Sequence, residues 1–502
     1  MQFAKLNIVD RFINFISPAW GTARMRHRFI QQQVKGLVRK YEAAGKGRRT
    51  DSWIAPNTSA SNEIHAALVT LRNRSRDIAR NNGYGINAVG KIANNTVGTG
   101  IVPTPLLNSR PQEKKIKQLW QDWAEELHCD YDGHLNFYGI QNLVMRCIVE
   151  SGECIIRKRV VKDKSLPLPL QLQVLEGDFI DTLKFGPLDN GGEIRYGVEF
   201  DANMKIVAYW LYEVHPGDNS IFHFNMKSNR YPVEDIIHIF EKKRPGQFRG
   251  VPTGHASMLR LKDLDEYEDA QLIRQKIAAC FSAFVTDSSP ALPGVNSDDA
   301  LTEMVEPGII QKLKPGQAIT FGSPPPAEGY DEYTKNTLRG IAAGYGMDYV
   351  TFSGDLSAVN FSSGRMGWLE FYRTVNEWQW KTFIPVFCNK VWSWFTQMAA
   401  IYNVIRAGQN IKARWSTPRR EMIDPVRETE ALINAFQSGL MSWTDVILES
   451  GYDPDELLEK MKNDLAKFKE AGLPPYTDKS VMNSKSVATG AASAYDKPSS
   501  AE

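Results

Sequence analysis

The sequence lacks the motifs by which many hydrolytic enzymes are recognised. It contains no GxxxxGK(S/T) phosphate loop, no HExxH metal motif and no GxSxG nucleophile turn. Its eight histidines are scattered, and carboxylate pairs such as Asp265–Asp269 and Asp453–Asp455 lie in charged helical or helix-capping contexts. We therefore predict no enzyme activity, no cofactor, no metal site and no catalytic residue. A metal-dependent, nuclease-like enzyme acting on DNA stays open as the alternative, since its acidic ligands can lie far apart in sequence.

Cysteine and long apolar runs are also scarce. Five cysteines stand at irregular spacings with no CxxC and no paired histidine: Cys129, Cys147, Cys154, Cys280 and Cys388. This usage predicts reduced thiols of a cytosolic protein rather than a zinc site. No apolar run is long enough to span a bilayer, and the first twenty residues have no signal-peptide pattern. We therefore expect no membrane association.

Charge is nearly balanced overall but unevenly distributed. The formal net charge is +2, whereas residues 1–50 hold eleven basic and two acidic residues, a net +9. Residues 421–465 hold eleven acidic and three basic residues, a net −8. A basic arm of this kind contacts nucleic acid or an acidic partner, or remains a solvated tail, and the sequence leaves these readings open. A dedicated DNA-binding domain would be basic throughout, which this chain is not.

Hydrophobic periodicity predicts long helices that flank a β-rich segment. Helical spacing covers 63–80 and 84–95, with Asn81-Asn82-Gly83 between them as a stop signal. Alternating and β-branched runs predict strands at 155–161, 170–175, 197–200 and 206–212. Residues 155–250 therefore read as a β-rich insertion between two long helices.

The segment after this insertion predicts a long helical rod from Gly254 to Phe284. Apolar residues recur every three or four positions, and an acidic band precedes a basic one. About 30 residues at 1.5 Å each would give a rod about 45 Å long. A narrow apolar stripe with charge elsewhere is typical of helices that pack side by side in an assembly.

A second very long helix follows the polar loop 353–363. Ser362 or Ser363 is the expected cap of this helix, and Pro385 is expected to kink it. Its many aromatic residues predict core packing rather than a cofactor site. Short acidic helices should then end at Gly439 and Gly451.

Several segments together resemble the portal proteins of tailed bacteriophages, in the lambda-like branch. They occur in family order over about residues 70–465: RDIARNNGYGINAVGKIANNTVGTGI, LWQDWAEELHCDYDGHLNFYGIQNLV, GECII, RPGQFRGVP, KLKPGQAI, SGDLSAVNFSSGRMGWLEF and IDPVRETEALINAFQSGLMSWTDVILESGYDPDE. Each segment alone is a weak signal, and the ordered series is the specific one.

The resemblance implies an α+β, mainly helical fold of the portal type, assembled as a ring. It divides the chain into a basic arm (1–60), wing (61–135), stem helix (136–154), clip (155–250), second stem helix (251–287), wing with tunnel loop 353–363 and a long helix (288–420), crown (421–470) and disordered tail (471–502). Portal proteins of this family can also lose an N-terminal piece on maturation.

The resemblance also implies a function. A ring of about twelve subunits at one capsid vertex would form the channel through which double-stranded DNA is packaged and ejected. Expected partners are the terminase large subunit, the major capsid and scaffolding proteins and the head-tail connector proteins. The expected location is the virion, with assembly in the host cytoplasm.

Candidate site residues follow from this assignment. The tunnel loop would approach DNA through a few weak, exchangeable backbone contacts, or its residues would only cap and turn the chain. The loop candidates are Asp355, Asn360, Ser362, Ser363 and Arg365. The candidates for DNA, subunit or motor contact at the clip are Arg244, Gln247 and Arg249. The expected channel face of the stem carries Asp265, Glu266 and Asp269.

Overall fold

The computed structural model describes most of the chain from residue 47 to residue 472. The described residues are 24, 26–27, 31, 47–107, 109–218, 227–280, 284–287, 317–320, 329–357, 359–405, 411–419, 422 and 424–472. Two compact units are defined, Met1–Ser59 and Ala60–Glu502. Most of the first unit, with the predicted basic arm, and nearly all of the predicted tail lie outside the described residues.

Helices and strands occupy largely separate runs along the second unit, as expected for an α+β fold. The helices are α1 Ala60–Asn81, α2 Gly83–Val97, α3 Arg110–Ala124, α4 Phe137–Ser151, α5 Met258–Cys280, α6 Tyr330–Gly344, α7 Tyr349–Ser353, α8 Phe361–Glu377, α9 Asn389–Ile401, α10 Pro425–Gln437, α11 Trp443–Glu449 and α12 Pro454–Glu470. The strands are β1 Val102–Leu106, β2 Glu153–Val160, β3 Leu170–Glu176, β4 Gly186–Pro187, β5 Glu193–Arg195, β6 Val198–Phe200, β7 Ile206–Tyr212, β8 Ser228–Pro232, β9 Ile236–Phe240, β10 Phe284–Asp287, β11 Gln317–Thr320 and β12 Lys412–Ser416.

Local signals explain where the first helices end and begin. The predicted break between α1 and α2 is confirmed, and Asn82 is the cap of α2. Its side-chain oxygen accepts hydrogen bonds from the amides of Tyr84 and Gly85 at 3.0 and 3.1 Å. These are amide donors that the first turn of a helix leaves without partners, so the cap stabilises the start of α2.

An aromatic cluster holds together helices that are far apart in the sequence. Trp120 and Trp123 of α3 pack against Phe137 at the start of α4 and against Phe395 of α9, with ring centroids 4.9–5.8 Å apart. All four side chains are buried. The prediction that the aromatic residues serve packing is confirmed here, and each buried ring removes a large apolar surface from water.

Two antiparallel sheets form the β-rich region. One has the strand order β3-β2-β9 and the other β4-β5-β6-β7-β8. Side chains alternate across β2, so Cys154 and Ile156 enter the large helical core while Ile155 enters a second, smaller core. The three-stranded sheet is therefore a wall shared by both cores, and residues 155–250 are continuous with the helices rather than a detached lobe.

Helix α5 is shorter than the sequence predicts. It begins at Met258, not at Gly254, because residues 254–257 form a turn in which the Ser257 amide donates to the Gly254 carbonyl. Its last residue is Cys280, and a strand already begins at Phe284, where the rod was expected to end. Its 23 residues give a length of about 35 Å rather than 45 Å.

The second long helix changes its hydrogen-bond pattern in the middle. Residues Trp378–Cys388, which include Pro385, are π-helical and lie between α8 and α9. A proline has no amide hydrogen and crowds the preceding turn, so wider winding is one way to keep the helix continuous. The disturbance predicted at Pro385 thus takes the form of a π-helical segment.

Three helices, of 13, 7 and 17 residues, close the described part of the chain. The predicted stops after α10 and α11 are confirmed, since Gly439 and Gly451 have φ of +74° and +79°. Asp453 anchors this segment, because its carboxylate accepts hydrogen bonds from Thr104 and Lys117, each at 2.9 Å. Across the described residues, no helix combines the length and apolar character that crossing a bilayer requires.

Candidate functional site

The chain enters the β-rich region at Gly152 and leaves it at Gly250, and these two chain crossings are in contact. Gly152 ends α4 with φ of +90°, and a Cβ atom there would lie 2.4 Å from the carbonyl carbon of Val251. A Cβ atom at Gly250 would lie 2.0 Å from the carbonyl oxygen of Gly152. Only glycine permits this approach together with the left-handed conformation at Gly152. The entry and the exit of the β-rich region are therefore adjacent.

The residue after Gly152 is Glu153, whose carboxylate is fully buried. The Arg249 side chain lies on both of its oxygens, with Nη2 2.5 Å from Oε1 and Nε 2.9 Å from Oε2. Arg72 of α1 donates to Oε1 at 2.6 Å, and the amide of Gly250 donates to Oε2 at 2.9 Å. His238 Nε2 lies 3.1 Å from Oε2. Residues from α1, β2, β9 and the chain before α5 thus meet at one carboxylate.

A second carboxylate extends this network towards the surface. Arg72 Nη1 lies 2.9 Å from Asp178, and Arg76 Nη2 lies 2.6 Å from the other oxygen of Asp178. Arg76 also pairs with Glu176 at 2.8 Å and donates to Ser151 Oγ at 3.0 Å. Helix α1 is therefore bound to the end of α4 and to the turn after β3. We call Arg72, Arg76, Glu153, Asp178, His238 and Arg249 the junction network.

Electrostatics favour the charged carboxylates despite their burial. Burial raises the pKa of Glu153, but Arg249, His238 and Arg72 outweigh it and hold that pKa well below its ordinary value. Burial likewise raises the pKa of Asp178, but Arg72 and Arg76 outweigh it, so that this pKa is also lowered. Burial also lowers the pKa of His238 and so favours its neutral form. At pH values above their ordinary pKa, the two charged carboxylates therefore stabilise the fold. This stabilisation is lost as the pH falls through their lowered pKa values in the folded protein.

One group at the edge of this network has the composition of a metal site. Donor atoms of Glu176, Asp178 and His215 lie within 4.8 Å of one another. The two carboxylates are already paired with Arg76 at 2.8 and 2.6 Å, and Asp178 also with Arg72. A bound cation would have to displace these guanidinium groups. The arrangement fits an ion-pair network better than a metal centre.

Only one of the three predicted clip contacts has an exposed side chain. Arg249 is buried in the junction network, and Gln247 is buried with its side chain bonded to the backbone. The Gln247 side-chain oxygen accepts from the amides of Lys243 and Arg244, and its nitrogen donates to the Arg249 carbonyl. Arg244 is exposed and pairs with Glu63 of α1 at 2.6 Å. Of the three residues, Arg244 therefore remains the candidate for contact with another molecule.

The predicted acidic face of the stem lies on the exposed side of α5. Asp265, Glu266 and Asp269 are all exposed. Asp265 is 3.4 Å from the side-chain nitrogen of Asn82, and Glu266 pairs with Lys262 at 3.4 Å. The structure thus leaves three carboxylates of one helix accessible to solvent.

Loop residues 353–363 satisfy many of their polar groups locally. Hydrogen bonds from Ser357 and from the Tyr349 hydroxyl lower the pKa of Asp355 to about 2. The prediction that Ser362 or Ser363 caps α8 is wrong. Asn360 occupies the cap position, and its side-chain oxygen accepts from the Ser363 amide at 2.8 Å.

Arg365, the last of the loop candidates, is directed to another helix of the chain. Its guanidinium lies 3.7 Å from Glu428 of α10, and both side chains are partly exposed. The first turn of α8 is thereby connected to the first turn of α10.

The sequence-based reasoning missed the junction network. The segment GECII and the arginines of RPGQFRG drew attention, but Glu153 was not identified as the partner of Arg249. The available signal was a charged residue at the start of an otherwise apolar strand. Such a residue is almost never buried without a partner.

These contacts describe a protein whose β-rich region is interlocked with its helices, and the ionisable side chains of the junction network are paired with one another. The family comparison gives the class of protein. The family described as phage portal protein, lambda family, matches residues 46–379, and the chain belongs to it.

Two curated relatives match over nearly their whole length. The probable portal protein of Halomonas phage phiHAP-1 is 27% identical over 463 residues, covering 88% of this chain and 89% of the relative. Portal protein B of Escherichia phage lambda is 20% identical over 500 residues, covering 86% and 90%.

Two solved structures from gene transfer agent (GTA) particles align with this chain. A chain from the virion of the native particle aligns with a TM-score of 0.47 and 16% identity, covering 82% of this chain and 94% of that one. A chain from the neck of the native particle, computed with C12 symmetry, aligns with a TM-score of 0.47 and 15% identity. It covers 78% of this chain and 100% of that one.

Proposed function

We propose that this chain forms a ring of about twelve copies at one capsid vertex, and that double-stranded DNA passes through its centre. The single observation that carries the proposal, beside family membership, is the exposed apolar surface of α5, on which Leu259 near the start of the helix is 69% exposed. Leu261 and Leu264 in its first half are buried within the chain. Leu272 and Ile273 in its second half are half-exposed, so an apolar pair lies where a neighbouring copy would cover it.

The charges on the same helix suit a passage through which DNA must keep moving. Phosphate contacts with lysine and arginine accumulate into tight, salt-dependent binding, which would hold DNA in place. The exposed Asp265, Glu266 and Asp269 repel phosphates instead. If these residues line the channel, they allow a duplex to slide. The loop 353–363 is then the element that approaches the duplex, through side chains such as Asn360 and Arg365.

Other regions provide the docking surfaces in this proposal. The β-rich residues 155–250, with Arg244 exposed, face the terminase large subunit during packaging and the head-tail connector proteins afterwards. Residues 61–135 and 288–420 contact the major capsid and scaffolding proteins, and residues 421–470 form the crown inside the head. A separate ATPase supplies the energy. The protein is structural, lies in the virion, and assembles in the host cytoplasm.

The ring is tested by native mass spectrometry and negative-stain imaging of the purified chain. We expect a species of about 680 kDa, twelve times the 56.6 kDa chain, with a central hole. Leu272→Glu combined with Ile273→Glu should shift the protein to smaller species, because it places charge in the contact between copies. The matched control is Val160→Glu, at an exposed strand end. A compact dimer without a hole would contradict the proposal.

The loop is tested by shortening it without removing the cap of α8. Replacing residues 356–359 with one glycine keeps Asn360 in place. We expect rings to form normally while DNA packaging or retention falls at least tenfold, measured as nuclease-protected DNA per particle. Shortening the exposed β2–β3 loop at residues 163–167 is the control for the effect of a shorter surface loop on ring formation alone. Loss of rings in the loop variant would instead make this loop an assembly element.

A further inference from the structure

Two cysteines lie on either side of the chain crossing at Gly152. Cys147 belongs to the last two turns of α4, and Cys154 is the second residue of β2. Gly152 redirects the chain between them, so that the Cys147 sulfur donates to the Glu153 carbonyl at 3.3 Å. Cys154 is the residue bonded to that carbonyl group. The two cysteines therefore meet where α4 turns into β2.

The two side chains are also on the same side of the crossing. Cys154 is buried in the large helical core, and Cys147 packs against that core. Burial, and next a hydrogen bond with the Cys147 thiol, raise the pKa of the Cys154 thiol well above its ordinary value. The thiols of Cys147 and Cys154 are therefore direct neighbours in the folded chain.

The two thiols differ in their access to solvent. Cys147 is partly exposed, whereas 0% of Cys154 is exposed. A dissolved oxidant therefore reaches Cys147 first. An accessible cysteine with a second thiol beside it is the arrangement in which an oxidised sulfur is captured by its neighbour as a disulfide.

We propose that Cys147 and Cys154 form a disulfide bond when a peroxide reaches the folded chain. The Cys147 thiolate attacks one oxygen of hydrogen peroxide, the O–O bond breaks, and the departing hydroxide takes up the thiol proton as water. This step leaves a sulfenic acid on Cys147. The Cys154 sulfur then attacks the Cys147 sulfur, the S–O bond breaks, and the hydroxide leaves as a second water with the Cys154 proton. Two thiols and one peroxide thus give one disulfide and two waters.

The burial of Cys154 slows the second step without preventing it. A thiolate is the reactive form of cysteine, and a raised pKa makes it scarce. The Cys147 sulfur, however, is held beside Cys154, and a reactant held in place acts at a very high effective concentration. Forming the bond also costs Cys147 its hydrogen bond to the Glu153 carbonyl.

The bond makes the junction sensitive to its surroundings. Thiols stay reduced in the cytoplasm, whereas disulfides persist in oxidising surroundings outside the cell. On the proposed function, the chain is thus reduced while it assembles and oxidised in a released particle. The disulfide closes residues 147–154 into a loop around Gly152 and fixes the end of α4 to β2. This consequence rests on the proposed function, whereas the chemistry of the pair does not.

The test follows one peptide of the unaltered, fully reduced chain. Trypsin cleaves after Arg146 and Arg157, so both cysteines fall in the peptide 147–157. The folded chain is treated with hydrogen peroxide, the peroxide is removed with catalase, and the chain is denatured in N-ethylmaleimide before digestion. We expect mass spectrometry to find this peptide about 2 Da lighter than its reduced form and without N-ethylmaleimide. Without peroxide, the peptide should carry two N-ethylmaleimide groups.

Two matched thiols control for unspecific oxidation. Cys388 is also buried, but burial rather than another thiol raises its pKa, and it should still take up N-ethylmaleimide after peroxide treatment. In Cys147→Ser, the Cys154 thiol should likewise survive, because no sulfenic acid forms beside it. Far-UV circular dichroism of this variant shows that it is folded.

Other products would overturn the inference. If the peptide 147–157 still carries two N-ethylmaleimide groups after peroxide treatment, the two thiols do not react with each other. If Cys147 becomes a sulfinic acid or links two copies while Cys154 takes up N-ethylmaleimide, Cys154 does not capture the oxidised sulfur. A disulfide in a chain that forms no rings would support this inference while the proposed function fails.

Discussion

Replacing Glu153 with glutamine should lower the free energy of unfolding by about 3–5 kcal/mol. Glutamine keeps the shape of the side chain but removes the negative charge that Arg249 and Arg72 share. Two buried guanidinium groups then face each other without a counter-charge at their centre. The loss is large because breaking one side of a buried pair leaves the full cost of burying the other.

Urea denaturation followed by tryptophan fluorescence measures this effect. Glu266→Gln is the matched control, because it breaks an exposed pair with Lys262 that should contribute less than about 1 kcal/mol. A second variant, Arg249→Met, should lose less stability than Glu153→Gln, because Arg72 and the Gly250 amide still hold the Glu153 carboxylate. Equal urea midpoints for Glu153→Gln and Glu266→Gln would show that the junction network contributes little to stability.

Replacing Gly152 with alanine should cost about 2–5 kcal/mol. The left-handed backbone accounts for about 1–2 kcal/mol for a residue with a side chain. The contact 2.4 Å from the Val251 carbonyl carbon adds a steric cost of about 1–3 kcal/mol, because backbone atoms must move to relieve it. Thermal unfolding, compared with the unaltered chain, measures the total.

Gly133→Ala separates the two contributions. Gly133 also has positive φ, +71°, but a Cβ atom there meets nothing within 4 Å. The Gly133→Ala variant should therefore show the conformational cost without the steric one. Its unfolding temperature should lie well above that of Gly152→Ala. Similar losses in the two variants would contradict the close approach of the chain crossings.

Features with local signals were predictable from the sequence. The break at Asn82 and the stops at Gly439 and Gly451 each depend on one or two residues. The effect of these residues on the backbone can be predicted without knowing the rest of the fold. Strands β2, β3 and β7 were also placed within two residues, because alternation and β-branching mark them. The ends of α5 were not, because its capping signals are weak and the apolar spacing continues past them.

Pairings between distant residues were not predictable. Arg72, Glu153, His238 and Arg249 meet only because α1, β2 and β9 pack together, and no spacing in the chain encodes that meeting. The same limit applies to Arg365, a candidate for contact with DNA, because no spacing in the sequence predicts that its guanidinium also lies beside Glu428. A single sequence shows that a charge is present, whereas its partner depends on the fold.

The adjacency of Gly152 and Gly250 also bears on how such a chain can change over time. A segment that leaves and rejoins a scaffold at neighbouring points behaves as an inserted module, because its length and internal design do not alter the distance that the scaffold must bridge. The strands of the outer five-stranded sheet could thus be lengthened or exchanged for a different partner while α4, α5 and the three-stranded sheet that borders both cores keep their positions. The constraint falls on the two glycines and on the carboxylate beside them, and the outer sheet is left comparatively open to variation.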